Sequence, residues 1–342
     1  MRHSFVLLYF LVALGAAAQR SPFNGLEVRP ADSTGAYTIL FGGHFHGAST
    51  DRSGFPAATL LANLDTINAL QVNMVLSTGD LFLNADKDSA RYARSLFHEL
   101  QAPLFNAPGN HDVEGRTYLR SYGPTFMVID IGEDRVILLD TERDNGDIKG
   151  EQLRMLQEQA DETKGFHGRD LFIVSHRPIW AEGDKRYSPL FAGNTRGLVE
   201  SNYRKKVLPL VERIAQRAHV HWVSGSMAGM APSSVFFQQH TPGITYIQSA
   251  IRNEPRDALL LARKQGGRLS WSTISLTGQQ LLPAEGYDAA YWEEHTGKAE
   301  PFNWRLVPYL IKRTLQRPEF WYGILVAALL GRAVRWLFRR WL

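Results

Sequence analysis

The chain has 342 residues, of which 44% are hydrophobic and 21% are charged, a composition that is ordinary for a globular protein and excludes wholesale disorder. It contains no cysteine, which excludes disulfide bonds, cysteine-ligated zinc and a lipoprotein anchor. The net charge of +4 is uneven, because residues 304–342 carry eight basic residues and one acid, so this tail holds +7 and the remainder −3. A basic surface suited to nucleic acid is therefore not expected on the globular part.

The N-terminus, residues 1–18, has the pattern of an export signal. Arg2 and His3 form a short basic start, residues 4–14 are uncharged and mostly apolar, and small residues end the segment at Ala18. A retained anchor or a buried helix is the alternative, but the apolar run is short for a membrane span. Export would place the protein outside the cytoplasmic membrane, which means the periplasm if the cell is Gram-negative.

The region after a short lead, 19–35, alternates between apolar runs and amphipathic stretches. Strands are predicted over 37–41, 72–77, 103–107, 126–131, 135–140, 171–175 and 220–224. Helices are predicted over 58–70, 89–100, 150–162 and 202–217. The stretch 235–276 is mostly strand-like, with a hairpin turn at Gly266-Gly267. This order predicts one α/β domain over 36–277, with helices outside a mixed sheet, then a linker over 278–303.

Four short polar motifs directly follow predicted strands, where open α/β sheets form their ligand sites. The motifs are Gly42-Gly43-His44-Phe45-His46, Gly79-Asp80, Gly109-Asn110-His111-Asp112 and Ser175-His176-Arg177-Pro178. Because His44 and His46 are two residues apart, an extended backbone would point both imidazoles the same way.

The order of these motifs resembles that of the calcineurin-like metallophosphoesterases, over roughly residues 35–277. That family shows D-x-H, then GD, then GNH with an acid, then a histidine, then GHxH. Here Gly79-Asp80 and the Gly109–Asp112 motif match fully, and His176 matches the single histidine. The resemblance implies a phosphoesterase sandwich of mixed β-sheets flanked by helices, to which this chain adds a C-terminal helical tail.

The resemblance also implies roles for the motif residues. The metal ligands would be His44, His46, Asp80, Asn110 and His176. Asp80 would bridge two ions, the first also using His44 and His46 and the second Asn110 and His176. The implied cofactor is a divalent ion, manganese, iron or zinc, with one or two bound. The catalytic residues would be His111, as the acid that protonates the leaving group, and Asp112, which orients it. Arg177 and Asn110 would contact the phosphate.

Two departures from the family pattern bear on the metal site. His44 stands where the family has its first aspartate, and Gly225-Ser226-Met227-Ala228 stands where GHxH is expected. Each ion therefore loses one protein ligand, and the matching carboxylates fall from two to one. This weakens the attraction for two dications and predicts an altered or mononuclear site.

Simpler interpretations of these residues remain open. His44 and His46 could be polar residues at a strand end, and Asn110 could be only a turn residue. His219 and His221 lie at the start of their predicted strand, away from the site, and are interpreted as surface or core residues. His240 has no assigned role.

The sequence therefore favours a metal-dependent hydrolase of phosphomonoesters or phosphodiesters whose substrate it does not identify. The alternative is a catalytically inactive relative that binds a ligand or scaffolds a complex at the membrane. The loss of both GHxH histidines supports that alternative.

The tail, residues 304–342, combines its basic residues with eight aromatic ones. Phe320 to Gly331 is an uncharged run of twelve residues, too short to cross a ~30 Å hydrocarbon layer alone. Arg332, Arg335 and Arg339 share one helical face, which suits an in-plane helix or arginines that snorkel from a span. Attachment to membrane lipids through this tail is predicted, with docking on a partner protein as the alternative.

Overall fold

A computed structural model of the chain describes residues 19–48, 53–191, 201–225, 234–253, 255–295, 311, 314–315 and 318–341. The predicted signal, 1–18, lies outside these residues, as do Ser226, Met227 and Ala228 of the altered fifth motif.

The strands form two mixed sheets. In chain order they are β1 Tyr37–Gly42, β2 Met74–Ser77, β3 Leu104–Asn106, β4 Met127–Ile131, β5 Asp134–Leu139, β6 Asp170–Ser175, β7 His219–Ser224, β8 Val235–Thr241, β9 Ile244–Ser249, β10 Ala258–Gln265 and β11 Arg268–Ser275. The first sheet has the order β11-β10-β1-β2-β3 and the second has the order β4-β5-β6-β7-β9-β8. Strands β1, β2 and β3 run parallel, as do β5, β6, β7 and β9. The predicted fold class, mixed sheets flanked by helices, is confirmed.

The helices follow the predicted pattern with local breaks. In chain order they are α1 Ala58–Leu61, α2 Leu64–Ala69, α3 Ala85–Tyr92, α4 Thr117–Ser121, α5 Gly150–Gln159, α6 Leu208–Ala215, α7 Ala289–His295 and α8 Pro318–Trp341, with π-helical turns at Ala93–Phe97 and Tyr203–Val207. The helix predicted over 58–70 is divided because the backbone of Asn63 leaves helical geometry, with φ −114°. The side-chain amide of Asn63 donates to the carbonyls of Thr59 and Leu276.

Successive side chains of β1 point alternately into two hydrophobic cores. Ile39 and Phe41 face the core shared by the two sheets, where the rings of Phe41 and Phe172 lie 5.9 Å apart. Leu40 points the other way, into a second cluster. This is the expected behaviour of a strand that is buried on both faces.

The folded core extends past the predicted domain boundary at residue 277. Tyr287 and Trp292 are buried in the core that the two sheets share, and the Trp292 indole N–H donates to the Val235 carbonyl at 3.0 Å. The segment 284–295 is therefore packed structure rather than part of an extended linker, because it buries large aromatic side chains.

The strands that carry the motifs end at a common level. Gly42 of β1 pairs with Ser77 of β2, which pairs in turn with Asn106 of β3. In the second sheet Ser175 of β6 pairs with Ser224 of β7. The motif loops therefore leave both sheets at one edge, as parallel topology requires.

The opposite edge of the sheets is joined by a buried ionic network. Lys264 of β10 contacts Asp170, and its Nζ lies 2.9 Å from Asp134 Oδ2, while the Tyr37 hydroxyl donates to Asp134 at 2.7 Å. Burial alone would raise the pKa of Asp170, but His221 and Lys264 outweigh it and hold that pKa below its ordinary value. The network therefore ties one sheet to the other through ionised groups.

Helix α8 is apolar and solvent-exposed. Its large hydrophobic side chains, from Trp321 to Trp336, are between 47% and 65% exposed. Among the described residues, no helix combines the length and the apolarity that crossing a membrane requires.

Replacing Lys264 by methionine is expected to lower the free energy of unfolding by about 3–5 kcal/mol, because Asp134 and Asp170 lose their buried cation. Urea unfolding followed by circular dichroism measures the change. Lys205→Met, at an exposed position, is the control and is expected to change stability by less than about 0.5 kcal/mol. Equal unfolding midpoints for the two variants would contradict the role of the network.

Candidate metal centre

Asp80 lies at the centre of a histidine cluster. The Nε2 atoms of His44, His46 and His176 are 3.5, 3.8 and 3.5 Å from Asp80 Oδ2, and all four side chains are buried. Two triads could hold a metal ion: His44 with Asp80 and His176, and His46 with Asp80 and His111. Within each triad the ligand atoms lie within 4.8 Å of one another. The two triads share Asp80.

This grouping differs from the predicted one, in which His44 and His46 serve the same ion. The expected extended backbone at residues 44–46 is wrong, because the chain turns here: His44 has φ +54° and its carbonyl accepts a hydrogen bond from Gly47 N. The two imidazoles stay close, with ring centroids 5.2 Å apart, but each also contacts a further histidine. His44 stacks on His176 with ring centroids 5.6 Å apart, and His46 meets His111 at 5.2 Å.

Backbone carbonyls orient two of the imidazoles. His176 Nδ1 lies 3.0 Å from the Thr78 carbonyl, and His111 Nδ1 lies 2.9 Å from the Leu83 carbonyl. Because a carbonyl can only accept, each Nδ1 carries a hydrogen, which leaves Nε2 as the ring nitrogen that can ligate a metal ion. Metal-ligating histidines are commonly fixed in this way.

The electrostatics prepare the cluster for a cation. Burial lowers the pKa of His44 well below its ordinary value, so its imidazole is neutral and can ligate. Burial alone would raise the pKa of Asp80, but His176, His46 and His44 outweigh it and hold that pKa well below the usual range. The centre therefore offers imidazole nitrogens around one ionised carboxylate.

The donor set fits a divalent metal ion. His44 Nε2 and both ring nitrogens of His46 are buried and have no hydrogen-bond partner in the described part of the chain. A buried polar atom left without a partner costs about 1–3 kcal/mol, and coordination to a cation would remove that cost. Two imidazoles with one carboxylate are a donor set that divalent transition metals accept.

The loops around Asp80 approach one another too closely for side chains at two glycines. A methyl group at Gly109 would overlap Asp80 Oδ1 and lie 2.5 Å from the Asp80 nitrogen, and one at Gly79 would overlap the His176 ring. Asp80 itself has φ +53°, a left-handed conformation that costs about 1–3 kcal/mol outside glycine. Such strain is characteristic of functional sites, where the surroundings enforce it.

Thr78 connects the two sheets at this edge and is absent from the predicted site. Its hydroxyl donates to the Ser249 carbonyl of β9 at 2.8 Å, while its carbonyl holds His176. Thr78 therefore links β2 of the first sheet to the second sheet. Its position directly before Gly79-Asp80 is the one sequence signal that could have identified it.

Asp112 does not make the contact predicted for it. The sequence predicts that Asp112 orients His111, but His111 Nδ1 is hydrogen-bonded to the Leu83 carbonyl instead. Asp112 instead ties together the loops around the centre, because its side chain is buried and fully engaged. Its carboxylate accepts hydrogen bonds from Phe82 N at 2.9 Å, Asn106 Nδ2 at 3.0 Å and Gly109 N at 2.9 Å.

The two predicted phosphate contacts have different surroundings. Asn110 is half-buried in the loop between Gly109 and His111, and its roles as ligand and phosphate contact stay predictions. The Arg177 guanidinium is 1% exposed and forms a bidentate pair with Glu142, at 2.7 and 2.8 Å. A phosphate would have to compete with the Glu142 carboxylate for Arg177. No sequence motif indicates the pair of Arg177 with Glu142.

Three histidines outside the motifs have structural contacts. His219 and His221 lie at the beginning of β7, and His221 Nε2 pairs with Asp170 at 2.9 Å. His240 accepts or donates a hydrogen bond at 2.9 Å with the Tyr187 hydroxyl.

Comparisons with known proteins agree with this geometry. The family model described as calcineurin-like phosphoesterase matches residues 44–225, more than half of the chain. The 3′,5′-cyclic adenosine monophosphate phosphodiesterase CpdA of Pseudomonas aeruginosa is 29% identical over 116 residues, which are 32% of this chain and only 41% of that relative's length.

Solved structures resemble the chain at low sequence identity. A dimetal phosphatase from Danio rerio aligns with a TM-score of 0.50 at 12% identity, over 75% of this chain and 100% of that one. A purple acid phosphatase from yellow lupin seeds, Lupinus luteus, aligns with a TM-score of 0.47 at 13% identity, over 75% of this chain and 54% of that one. The first likeness shows a shared fold.

Gly109→Ala is expected to reduce the affinity for Zn²⁺ at least tenfold, because the added methyl group displaces the Asp80 carboxylate from the histidines. Isothermal titration calorimetry on metal-stripped protein measures the affinity. Gly331→Ala adds the same methyl group where nothing lies within 4 Å and is expected to bind normally. Unchanged affinity in Gly109→Ala would show that Asp80 is not the shared ligand.

Proposed function

The chain belongs to the calcineurin-like phosphoesterase family, and from this we propose that it is a metal-dependent hydrolase of phosphomonoesters or phosphodiesters. The observation that carries the proposal is the buried Asp80 carboxylate, shared by two histidine triads that contain nitrogens without hydrogen-bond partners among the described residues. Such a donor set has no use in a core that only packs, because each orphaned nitrogen is costly there.

The charge balance favours one tightly held ion rather than a pair. Asp80 is the one carboxylate of the two triads. One dication leaves the centre with a single net positive charge, whereas two would leave three in a buried site, where charges interact strongly. We place the tight ion in the triad of His44, Asp80 and His176, because all three residues are buried and the Thr78 carbonyl fixes His176.

The residues around the centre have complementary tasks in this proposal. A divalent ion held there supplies Lewis acidity toward the phosphoryl group and lowers the pKa of water nearby. His111 is half-buried, unlike His44, His46 and His176, so a substrate can reach it. With Nδ1 tied to the Leu83 carbonyl, a protonated His111 donates from Nε2 to the leaving oxygen. Asp112 holds the loop that presents His111, and Asn110 contacts the phosphate.

The proposal includes a location outside the cytoplasmic membrane, reached through the N-terminal signal and retained by α8. Exposed apolar side chains along α8, together with Arg332 and Arg335, suit insertion into the headgroup region of an anionic membrane surface. Each well-placed arginine contributes about 1 kcal/mol toward anionic lipids.

Asp80→Asn is expected to abolish both metal retention and phosphoester hydrolysis, because it removes the ionised ligand that both triads share. His111→Gln is expected to keep the ion but lower turnover roughly a hundredfold, the usual effect of removing a general acid. Hydrolysis is measured with p-nitrophenyl phosphate, bis(p-nitrophenyl) phosphate and 3′,5′-cyclic AMP, the last being the substrate named for the CpdA relative.

His167→Gln, at an exposed histidine, controls for the loss of an imidazole and should leave both properties unchanged. If neither Asp80→Asn nor His111→Gln alters hydrolysis, the proposed chemistry is refuted. If the wild-type protein binds metal but hydrolyses none of the three esters, the inactive, ligand-binding alternative gains support.

Removal of the tail before Phe302 is expected to release the protein from membranes, because α8 holds the exposed apolar surface and most of the tail's arginines. Sedimentation with vesicles that contain anionic lipid measures the attachment. High salt should loosen the full-length protein if α8 lies in the plane. Cosedimentation of the truncated protein would place the anchor elsewhere.

A further inference from the structure

A second concave site lies at the sheet edge opposite the metal centre. A cleft of about 770 Å³ opens where β6 and β7 begin, and the β8–β9 and β10–β11 hairpins complete its walls. Strand β6 begins at Asp170 in the cleft and ends at Ser175, directly before His176. Its six residues span roughly 20 Å, so the cleft and the metal centre are separate. The volume is in the range of small-molecule sites.

The cleft carries an excess of positive charge. Arg169, Arg217 and Arg268 line it, and none of them forms an ion pair in the described part of the chain. Backbone carbonyls orient two of these guanidiniums without neutralising them: Arg169 donates to Gly267 O at 3.3 Å, and Arg217 donates to Phe166 O at 2.9 Å. Arg169 and Arg217 are therefore held in place, and no carboxylate among the described residues pairs with any of the three arginines.

The acid in the cleft cannot balance these arginines. Asp170 already contacts the Lys264 ammonium, and its Oδ1 lies 2.9 Å from His221 Nε2. Asp170 shares that ammonium with Asp134, and the lining of the cleft sets three arginines against this one carboxylate. The free positive charge of the cleft therefore remains available to an anion.

The wall of the cleft is aromatic. The rings of Trp271 and Phe237 lie 5.8 Å apart and provide an apolar surface beside the arginines. Trp271 Nε1 and His221 Nδ1 are buried and have no hydrogen-bond partner among the described residues, although both side chains line the cleft. Polar atoms left in this state are consistent with a partner supplied from outside the chain.

We propose that this cleft binds a small organic anion that carries an aromatic ring. The anionic group pairs with Arg169 and Arg268, and the ring packs against the aromatic wall at Trp271. Every contact invoked belongs to residues outside the metal centre, so this site is independent of the proposed hydrolase activity.

The test is a fluorescence titration of full-length protein with 8-anilinonaphthalene-1-sulfonate, an aromatic anion. All proteins carry Asp80→Asn, so that no ion at the metal centre contributes. The parent is expected to show a saturable site that the double variant Arg169→Gln/Arg268→Gln binds at least tenfold more weakly. Arg154→Gln removes an exposed arginine of α5 outside the cleft and is expected to bind like the parent. Probe bound to α8 gives the same background in all three.

Equal titrations for all three proteins would overturn the proposal. Thermal unfolding of each variant separates the loss of the site from misfolding of the protein. The double variant Arg169→Lys/Arg268→Lys keeps the charge and is expected to retain much of the binding. Competition then tests the aromatic part: benzenesulfonate is expected to displace the probe at concentrations at least tenfold lower than sulfate. Equal potency would reduce the cleft to a plain anion site and refute the ligand class.

Discussion

The functional edge of this protein depends on one buried carboxylate surrounded by imidazoles. Removing a charge from water is expensive, and the histidines offset that cost for Asp80 only while they stand within about 4 Å of it. The surrounding backbone is arranged to keep it there. Asp80 adopts a left-handed conformation, Gly109 leaves room for its carboxylate, and the Gly79 carbonyl accepts a hydrogen bond from His44 N.

Neither sheet can build this centre alone. His44 and Asp80 follow strands of the first sheet, whereas His176 follows a strand of the second. The strands must therefore end at one level, and a bond between the sheets must fix their separation there. Thr78 provides that bond through its hydroxyl, and its carbonyl sets the ring of His176. The ionic network around Lys264 performs the same task at the other edge, which bears the cleft. Packing, ligation and ligand access are thus properties of one two-sheet framework.

Sequence pattern alone predicts the strands and the order of the motifs, because apolar runs and the polar residues that follow them are local signals. It therefore predicts that His44, Asp80 and His176 come together. It does not predict that His44 also stacks on His176, since a non-glycine residue at φ +54° has no reliable sequence signature. The pair of Arg177 with Glu142 is missed for another reason, as it joins residues 35 apart without any motif. Loop conformation and long-range pairing thus account for the differences between the predicted site and the structure.

The central claim is that a single divalent ion occupies the triad of His44, Asp80 and His176. The most direct measurement is anomalous diffraction at the metal edge, combined with elemental analysis of full-length protein purified without chelator. The account predicts about one ion per chain, with the anomalous peak between the Nε2 atoms of His44 and His176, since one carboxylate cannot balance two dications. Two fully occupied peaks, one in each triad, would contradict it.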